Sequence, residues 1–341
     1  MPIQQAPPPS EAGTSVVARS DVARSDAPRA ARSRRASREL PKRLERPQGV
    51  TRKIVWRYAV PIATIHALSL LVFLPWLFSW TGVALLIAGI YFYGGVGINL
   101  CYHRLLTHRS FRCPDWLERF FVVVALCCME DAPGSWVATH RLHHNDSDEQ
   151  PDPHSPLVSF FWSHVGWLLV ENAEVRTIGN YDRYARDVLR TPFYMRLQRS
   201  LLPVWIYLAH AVLYFLTGFA IGWAVWGSWQ AGLQFGASWF VWGVLLRTVI
   251  VWHISWSVNS LSHLFGYRNY ETNENSRNNW LVAFLTSGEG WHNNHHEDPS
   301  SASNSHRWWE IDLIYLLIKG LEMVGLVSDV NPPRHHRRAA S

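Results

Sequence analysis

The chain has 341 residues, 48% of them hydrophobic and 17% charged, with 32 Lys/Arg against 26 Asp/Glu for a net charge of +6. The first 57 residues hold 13 Lys/Arg and five Asp/Glu, a net +8, so the remainder is close to neutral and offers no folded nucleic-acid surface. Nineteen Trp argue against a purely water-soluble domain, because Trp favours membrane interfaces, where its ring is buried and its N–H stays wet.

Residues 1–50 carry Pro7-Pro8-Pro9, scattered Ala, Ser and Arg, and no apolar run able to bury a core, which predicts a disordered basic tail without a signal peptide. Tyr58–Phe78 and Gly82–Tyr102 are each 21 residues without Asp, Glu, Lys or Arg. That is about the ~20 needed to span a bilayer as a helix. Leu157–Val170 is apolar over 14 residues only, too short to cross, and reads as an interfacial helix. Leu201–Trp226 is a third span and Ala231 to about Trp252 a fourth, interrupted by Arg247. A cation there reads either as a snorkelling or cavity-facing side chain near a helix end, or as a functional charge. Trp308–Val327 is amphipathic, with Glu310, Asp312, Lys319 and Glu322 among apolar residues, and a basic tail over 329–341 follows a membrane domain over 51–328. The connections Ser79–Thr81 and Gly227–Gln230 carry no Lys or Arg, so two hairpins with their tips outside and everything else in the cytoplasm satisfy the positive-inside rule. Cys101, Cys113, Cys127 and Cys128 lack a Cys-x-x-Cys spacing and read as free thiols.

Nine of the 17 His form a pattern. His103-Arg-Leu-Leu-Thr-His108 follows the second span and His140-Arg-Leu-His143-His144 comes soon after; Asn259-Ser-Leu-Ser-His263 ends the fourth span and His292-Asn-Asn-His295-His296 lies beyond it. Residues three and four apart share a helix face, so each His-x-x-His-His aims three imidazoles toward one point, and Asn259 and His263 project together. His103 and His108, five apart, are expected to straddle a helix end. Each group follows an even number of crossings, so all lie on one side of the membrane. Nine imidazoles exceed what one ion takes, and two metals fit the count; imidazole suits Fe, Zn and Cu, and the absence of thiolate ligands argues against copper(I) or an iron–sulfur cluster.

These boxes resemble those of the membrane fatty-acyl desaturases, and Asn259-x-x-x-His263 resembles the stearoyl-CoA (delta-9) branch. The flanks agree: Ser147-Asp148, Asp152-Pro153-His154-Ser155-Pro156, Ser163-His164-Val165-Gly166-Trp167 and Gly288-Glu289-Gly290-Trp291. The resemblance, from about Trp56 to Leu326, implies an all-α integral membrane protein: four transmembrane helices in two hairpins under a cytoplasmic helical cap. It implies a non-haem di-iron centre held by His103, His108, His140, His143, His144, His263, His292, His295 and His296, with Asn259 acting through water. The implied reaction is O2-dependent introduction of a cis double bond into a long-chain fatty-acyl substrate, near carbon 9. By position, Trp136 and Trp256 resemble residues lining the acyl tunnel, and Tyr91 and Tyr93 would close its far end; packing at the interface explains the same aromatics without a ligand. His154 and His164 read as structural, and His335-His336 as solvated. Animal acyl-CoA members have Arg-Asp before the second box to help hold CoA. Here Ala138-Thr139 stand there, so an acyl chain esterified to a membrane lipid is as open as acyl-CoA. No His-Pro-Gly-Gly haem module is present, so electrons would come from an external donor such as ferredoxin, rubredoxin or cytochrome b5.

Two other readings compete. A fatty-acyl hydroxylase would use the same scaffold, and a His-rich metal transporter would place its ligands at the bilayer midplane rather than after the spans.

Overall fold

A computed structural model describes residues 43–334. Most of the expected N-terminal tail and His335-His336 lie outside the described residues.

Four helices among the described residues are long and apolar enough to cross a bilayer, as an integral membrane protein requires: Trp56–Phe73, Trp80–Thr107, Leu202–Trp226 and Trp229–His263. The turns between them are chemically marked. Ser79 caps the second span by accepting from the backbone N–H of Gly82 at 2.9 Å, and Ser228 does the same for Ala231 at 3.1 Å. Gly227, at φ 63°, ends the third span in the left-handed conformation that glycine adopts without strain. The second hairpin is held by backbone proximity at small residues. A Cβ on Gly218 would sit 2.8 Å from the Phe235 carbonyl oxygen, and one on Gly222 2.7 Å from that of Ala231.

The second span changes character partway. Trp80–Gly89 is α-helical and Ile90–Thr107 is π-helical, with hydrogen bonds to the fifth residue back. Its wide turn lies against the helix Asp115–Leu126, where a Cβ on Gly97 would come within 2.7 Å of the Ala125 Cα. Around that contact Ile98, Leu100, Tyr102, Phe121, Val122 and Leu126 form the largest buried apolar cluster.

Several expectations needed correction. The fourth helix is continuous over 35 residues to His263, past the apolar run that ends near Trp252, so it carries the third histidine group on the same rod. Leu157–Val170 is not one helix: short helical turns over Trp162–Leu169 give way to the strand Val170–Asn172, which pairs antiparallel with Val50–Ile54 in a small two-stranded sheet. Within Trp308–Val327 only Leu313–Met323 is helical, started by the Asp312 carboxylate accepting from the Tyr315 N–H at 2.9 Å. Residues flanking 51–328 also bond to this body. The Leu44 N–H donates to the Leu157 carbonyl at 3.0 Å, and the Asn331 N–H to that of Ser110 at 2.8 Å.

Arg247 neither snorkels nor lines the cavity described below. It is fully buried, lies 4.2 Å over the Tyr93 ring, and donates to the Cys127 carbonyl at 2.8 Å and the Gly243 carbonyl at 3.2 Å, with the His210 Nε2 at 3.3 Å. Cys127 terminates the helix Asp115–Leu126, so the guanidinium sits at a helix C-terminus, where the macrodipole favours a cation. Trp252 holds the next carbonyl, Cys128, at 2.7 Å. Together the two side chains fix the segment that leads into the wall of the cavity.

Candidate metal centre

All nine box histidines converge, in two groups. One nitrogen each from His103, His108, His140, His144 and His295 lie within 4.8 Å of one another, and His143, His263, His292 and His296 do likewise. Each His-x-x-His-His therefore divides between the groups instead of aiming at one point. His140 and His144 join the five-membered set while His143 joins the other; His292 and His296 join the four-membered set while His295 crosses over. Helix geometry explains the split. At 100° per residue, positions i and i+4 lie about 40° apart, and i+3 lies about 100° from i+4. His103 and His108 end up in one group for a different reason. The His108 N–H bonds to the His103 carbonyl, five residues back, at 3.1 Å, so in this π-helical stretch a spacing of five does share a face.

Within the groups, imidazole nitrogens face each other at contact distance. Nε2 of His103 is 3.0 Å from that of His295, which is 2.9 Å from that of His144; His292 Nε2 is 3.1 Å from both His263 and His296. The opposite edges of several rings meet carboxylates. His143 Nδ1 donates to Asp152 at 3.0 Å and His263 Nδ1 to Asp148 at 3.0 Å, while His103 Nδ1 lies 2.7 Å from Glu289. An imidazole whose Nδ1–H faces a carboxylate presents an unprotonated Nε2, the arrangement that orients metal-bound histidines. His143 Nε2 is buried and meets no hydrogen-bond partner among the described residues, and it points into the four-membered group. Such a set of inward-facing imidazole nitrogens fits a pair of divalent cations.

The electrostatics agree. Burial, and then the neighbouring imidazoles, push His108, His140, His144, His292, His295 and His296 well below the usual histidine range, so these rings are neutral and available to a cation. Burial raises the Glu289 carboxyl, but Arg104 and His103 beside it more than offset this and hold it at about 2. Asp148 and Asp152 are likewise held low, against their burial, by His263 and His143. Arg104 anchors the arrangement from within: it is 1% exposed and pairs with Glu289 at 2.8 Å and Asp312 at 2.9 Å.

Beside the two groups lies a cavity of about 380 Å³ whose wall includes His103, His140, His292 and Asn259. Trp136 and Trp256, expected on the tunnel, both line it; Trp136 stacks on His140 at 4.9 Å, and Trp252, which sequence reasoning did not single out, stacks on Trp256 at 5.8 Å. Tyr91 and Tyr93 do not line it. Tyr91 is 37% exposed and Tyr93 lies under Arg247, although a smaller space that shares Ile98, Asn99 and Ser255 with the cavity reaches the neighbouring Ile90 and Gly94. His154 also lines the cavity, 4.4 Å from the His143 ring, and stands outside both imidazole groups. His164 hydrogen-bonds Ser260 and His253. The carboxylates were the main omission. Asp148, Asp152 and Glu289 sit in the flanking motifs and could have been read as partners of the boxes; Glu274, 3.6 Å from His296 Nδ1, carries no local signal.

Residues 74–322 match the family model described as fatty acid desaturase. The chain is 39% identical over 278 residues to an sn-1 stearoyl-lipid 9-desaturase from Synechocystis sp., covering 82% of this chain and 80% of that one. It is 38% identical over 291 residues to an sn-2 palmitoyl-lipid 9-desaturase from Nostoc sp., covering 84% and 94%. It is also 38% identical over 301 residues to an acyl-CoA 5-desaturase from Anemone leveillei, covering 85% and 87%.

Proposed function

This chain belongs to the fatty acid desaturase family, and from that premise we propose that it introduces a cis double bond near carbon 9 of a long-chain fatty-acyl chain, at a di-iron centre, using O2 and two electrons from a separate donor protein. The observation that carries the proposal is the division of nine inward-facing imidazoles into groups of five and four on the wall of one cavity. The nine histidines would be the ligands, with Asn259 placed to act through water. Bound there, two irons would supply the oxidising power to remove hydrogen from an unactivated C–H bond once O2 and electrons arrive.

The protein's own part is placement and exclusion. Trp136, Trp252 and Trp256 wall the cavity with rings that exclude water from the reacting carbon. The path from the cavity mouth to His140 and His292 sets how many carbons precede the one presented, so bond position is a distance fixed by the frame. Asp148, Asp152 and Glu289 keep His263, His143 and His103 in the tautomer that offers Nε2.

The histidine groups would face the cytoplasm, because the uncharged hairpin turns favour the outside. The carrier would be a membrane lipid in preference to CoA. At the two positions before His140, Ala138 is buried in the apolar core and Thr139 faces the cavity, so no cation stands there to hold a CoA phosphate.

Mass analysis of the product formed by purified, iron-loaded protein with ferredoxin, its reductase and a stearoyl lipid tests the reaction. A loss of two hydrogens is expected. A gain of one oxygen would replace desaturation with hydroxylation, and uptake of metal by proteoliposomes without O2 consumption would replace both with transport.

A further inference from the structure

The cavity has a definite mouth. Of the residues lining it, the exposed ones are Arg57, Ser200, Leu201 and Val204. Arg57 is the second residue of the first span, Trp56–Phe73, and Leu201 and Val204 bracket the start of the third, Leu202–Trp226. Both spans start on the same side of the membrane, so the opening lies at the level of the lipid headgroups, between two helices that face lipid. Val60 is 52% exposed, Leu201 69% and Trp205 62%, which gives the opening an apolar shoulder toward the bilayer.

Its polar edge is cationic. The guanidiniums of Arg57 and Arg176 lie over the same ring, Tyr58, at 5.0 and 4.3 Å. Neither meets a carboxylate within ion-pair distance among the described residues, in contrast to Arg104, Arg109 and Arg141. The neighbouring cavity-lining carboxylates are engaged elsewhere: Asp131 accepts from the Tyr58 hydroxyl at 2.5 Å and from the Ala132 N–H at 2.8 Å, and Glu130 accepts from the Ser255 hydroxyl at 3.0 Å. Two arginines held at one aromatic ring, neither with a carboxylate partner among the described residues, make a phosphate-binding edge, since the guanidinium fork matches phosphate oxygens.

We propose that Arg57 and Arg176 bind the phosphate of an anionic phospholipid whose acyl chain enters the cavity sideways between the first and third spans, so that the enzyme selects phosphoglycerides over neutral glycolipids. This rests on the desaturase reading for the purpose of the cavity, while the binding itself needs neither metal nor turnover. Phosphate could also come from CoA, and the test separates the two.

The full chain in detergent is titrated with phosphatidylglycerol, with monogalactosyldiacylglycerol bearing the same stearoyl chains, and with stearoyl-CoA, and bound ligand is quantified by native mass spectrometry. Phosphatidylglycerol is expected to bind at least about tenfold tighter than the galactolipid, the effect of one or two charge-assisted hydrogen bonds. The double variant Arg57→Gln/Arg176→Gln should bring the two lipids to near parity without weakening the galactolipid. Arg112→Gln, at an exposed ion pair with Asp329, should change nothing. Equal binding of the two lipids by the unaltered chain overturns the proposal, as does a preference that survives the double substitution. Tighter binding of stearoyl-CoA that the same substitutions abolish would keep the phosphate edge and overturn the phospholipid as its ligand. A chain that binds as expected yet forms no double bond would contradict the reaction and leave the headgroup site standing.

Discussion

Replacing Glu289 by Gln should loosen the five-histidine group and the body around it together. The Glu289 Oε1 accepts from Arg104 Nε at 3.0 Å and Nη2 at 2.8 Å; Oε2 accepts from the Asn304 amide at 2.9 Å and lies 2.7 Å from His103 Nδ1. Both oxygens face donors only, and an amide has a single oxygen. With that oxygen toward Arg104, the new N–H confronts Asn304 and His103; turned over, it confronts the guanidinium. His103 can relieve the first conflict only by moving its proton to Nε2, which removes its lone pair from the metal site. Breaking one side of a buried ion pair costs about 3–5 kcal/mol. Asp312 still holds Arg104 at 2.9 Å, which puts the loss near the lower end, about 3 kcal/mol. Loss of an orienting carboxylate lowers metal affinity by roughly 10–100-fold. Metal per chain is measured by plasma mass spectrometry after dialysis against graded chelator, alongside thermal melting of the metal-free protein. The expected variant melts lower and gives up one metal at a chelator concentration where the unaltered protein keeps two. Identical melting and retention of both metals would show that the carboxylate neither braces nor orients His103.

Three further outcomes are expected. His296→Ala and His143→Ala should each abolish product formation while the protein still accumulates in the membrane, as immunoblots of membrane fractions would register; more than a few per cent residual activity counts against the altered residue as a ligand. Gly97→Ala should destabilise the contact between the second span and the helix Asp115–Leu126, because the new methyl would meet backbone at 2.7 Å; overpacking of this kind costs about 1–3 kcal/mol, and a melting temperature equal to that of the unaltered chain would show that the helices separate freely. Burial raises the Glu130 carboxyl from 4.5 to about 8, with Ser255 and Trp136 opposing as hydrogen-bond donors. The folded chain then holds a proton that the unfolded chain has lost between those values, so stability falls as pH rises from about 4.5 to 8. Glu130→Gln should flatten that part of a melting-against-pH curve, and parallel curves for the two proteins would contradict it.

The sequence made the spans and the histidine boxes legible because both are local patterns: about 20 apolar residues in a row, and ligands three and four apart. What it concealed depends on backbone geometry or on distant contacts. The pairing of His103 with His108 follows from the π-helical turn, and nothing in Ile90–Thr107 announces that turn at the level of propensity. The allocation of His143 and His295 across the two groups depends on how the helices Pro133–Asp146 and His292–Glu297 face each other. Glu274 reaches His296 from a loop with no regular spacing to any box. Arg247 looked anomalous in a span until its partners, the Cys127 carbonyl and the Tyr93 ring, were seen to come from two other segments. The strand Val170–Asn172 hides within an apolar run that reads as a helix, because its partner lies more than 100 residues earlier.

The central claim is desaturation at the nine-histidine centre. It is tested most directly by the fatty-acid profile, from gas chromatography and mass spectrometry, of a host without its own desaturase that expresses this chain and a suitable electron donor, beside the same host expressing His143→Ala. The account predicts a new cis-monoene, with its double bond near carbon 9, in the first strain alone. A new hydroxy acid in its place, or profiles that match between the two strains, would contradict it.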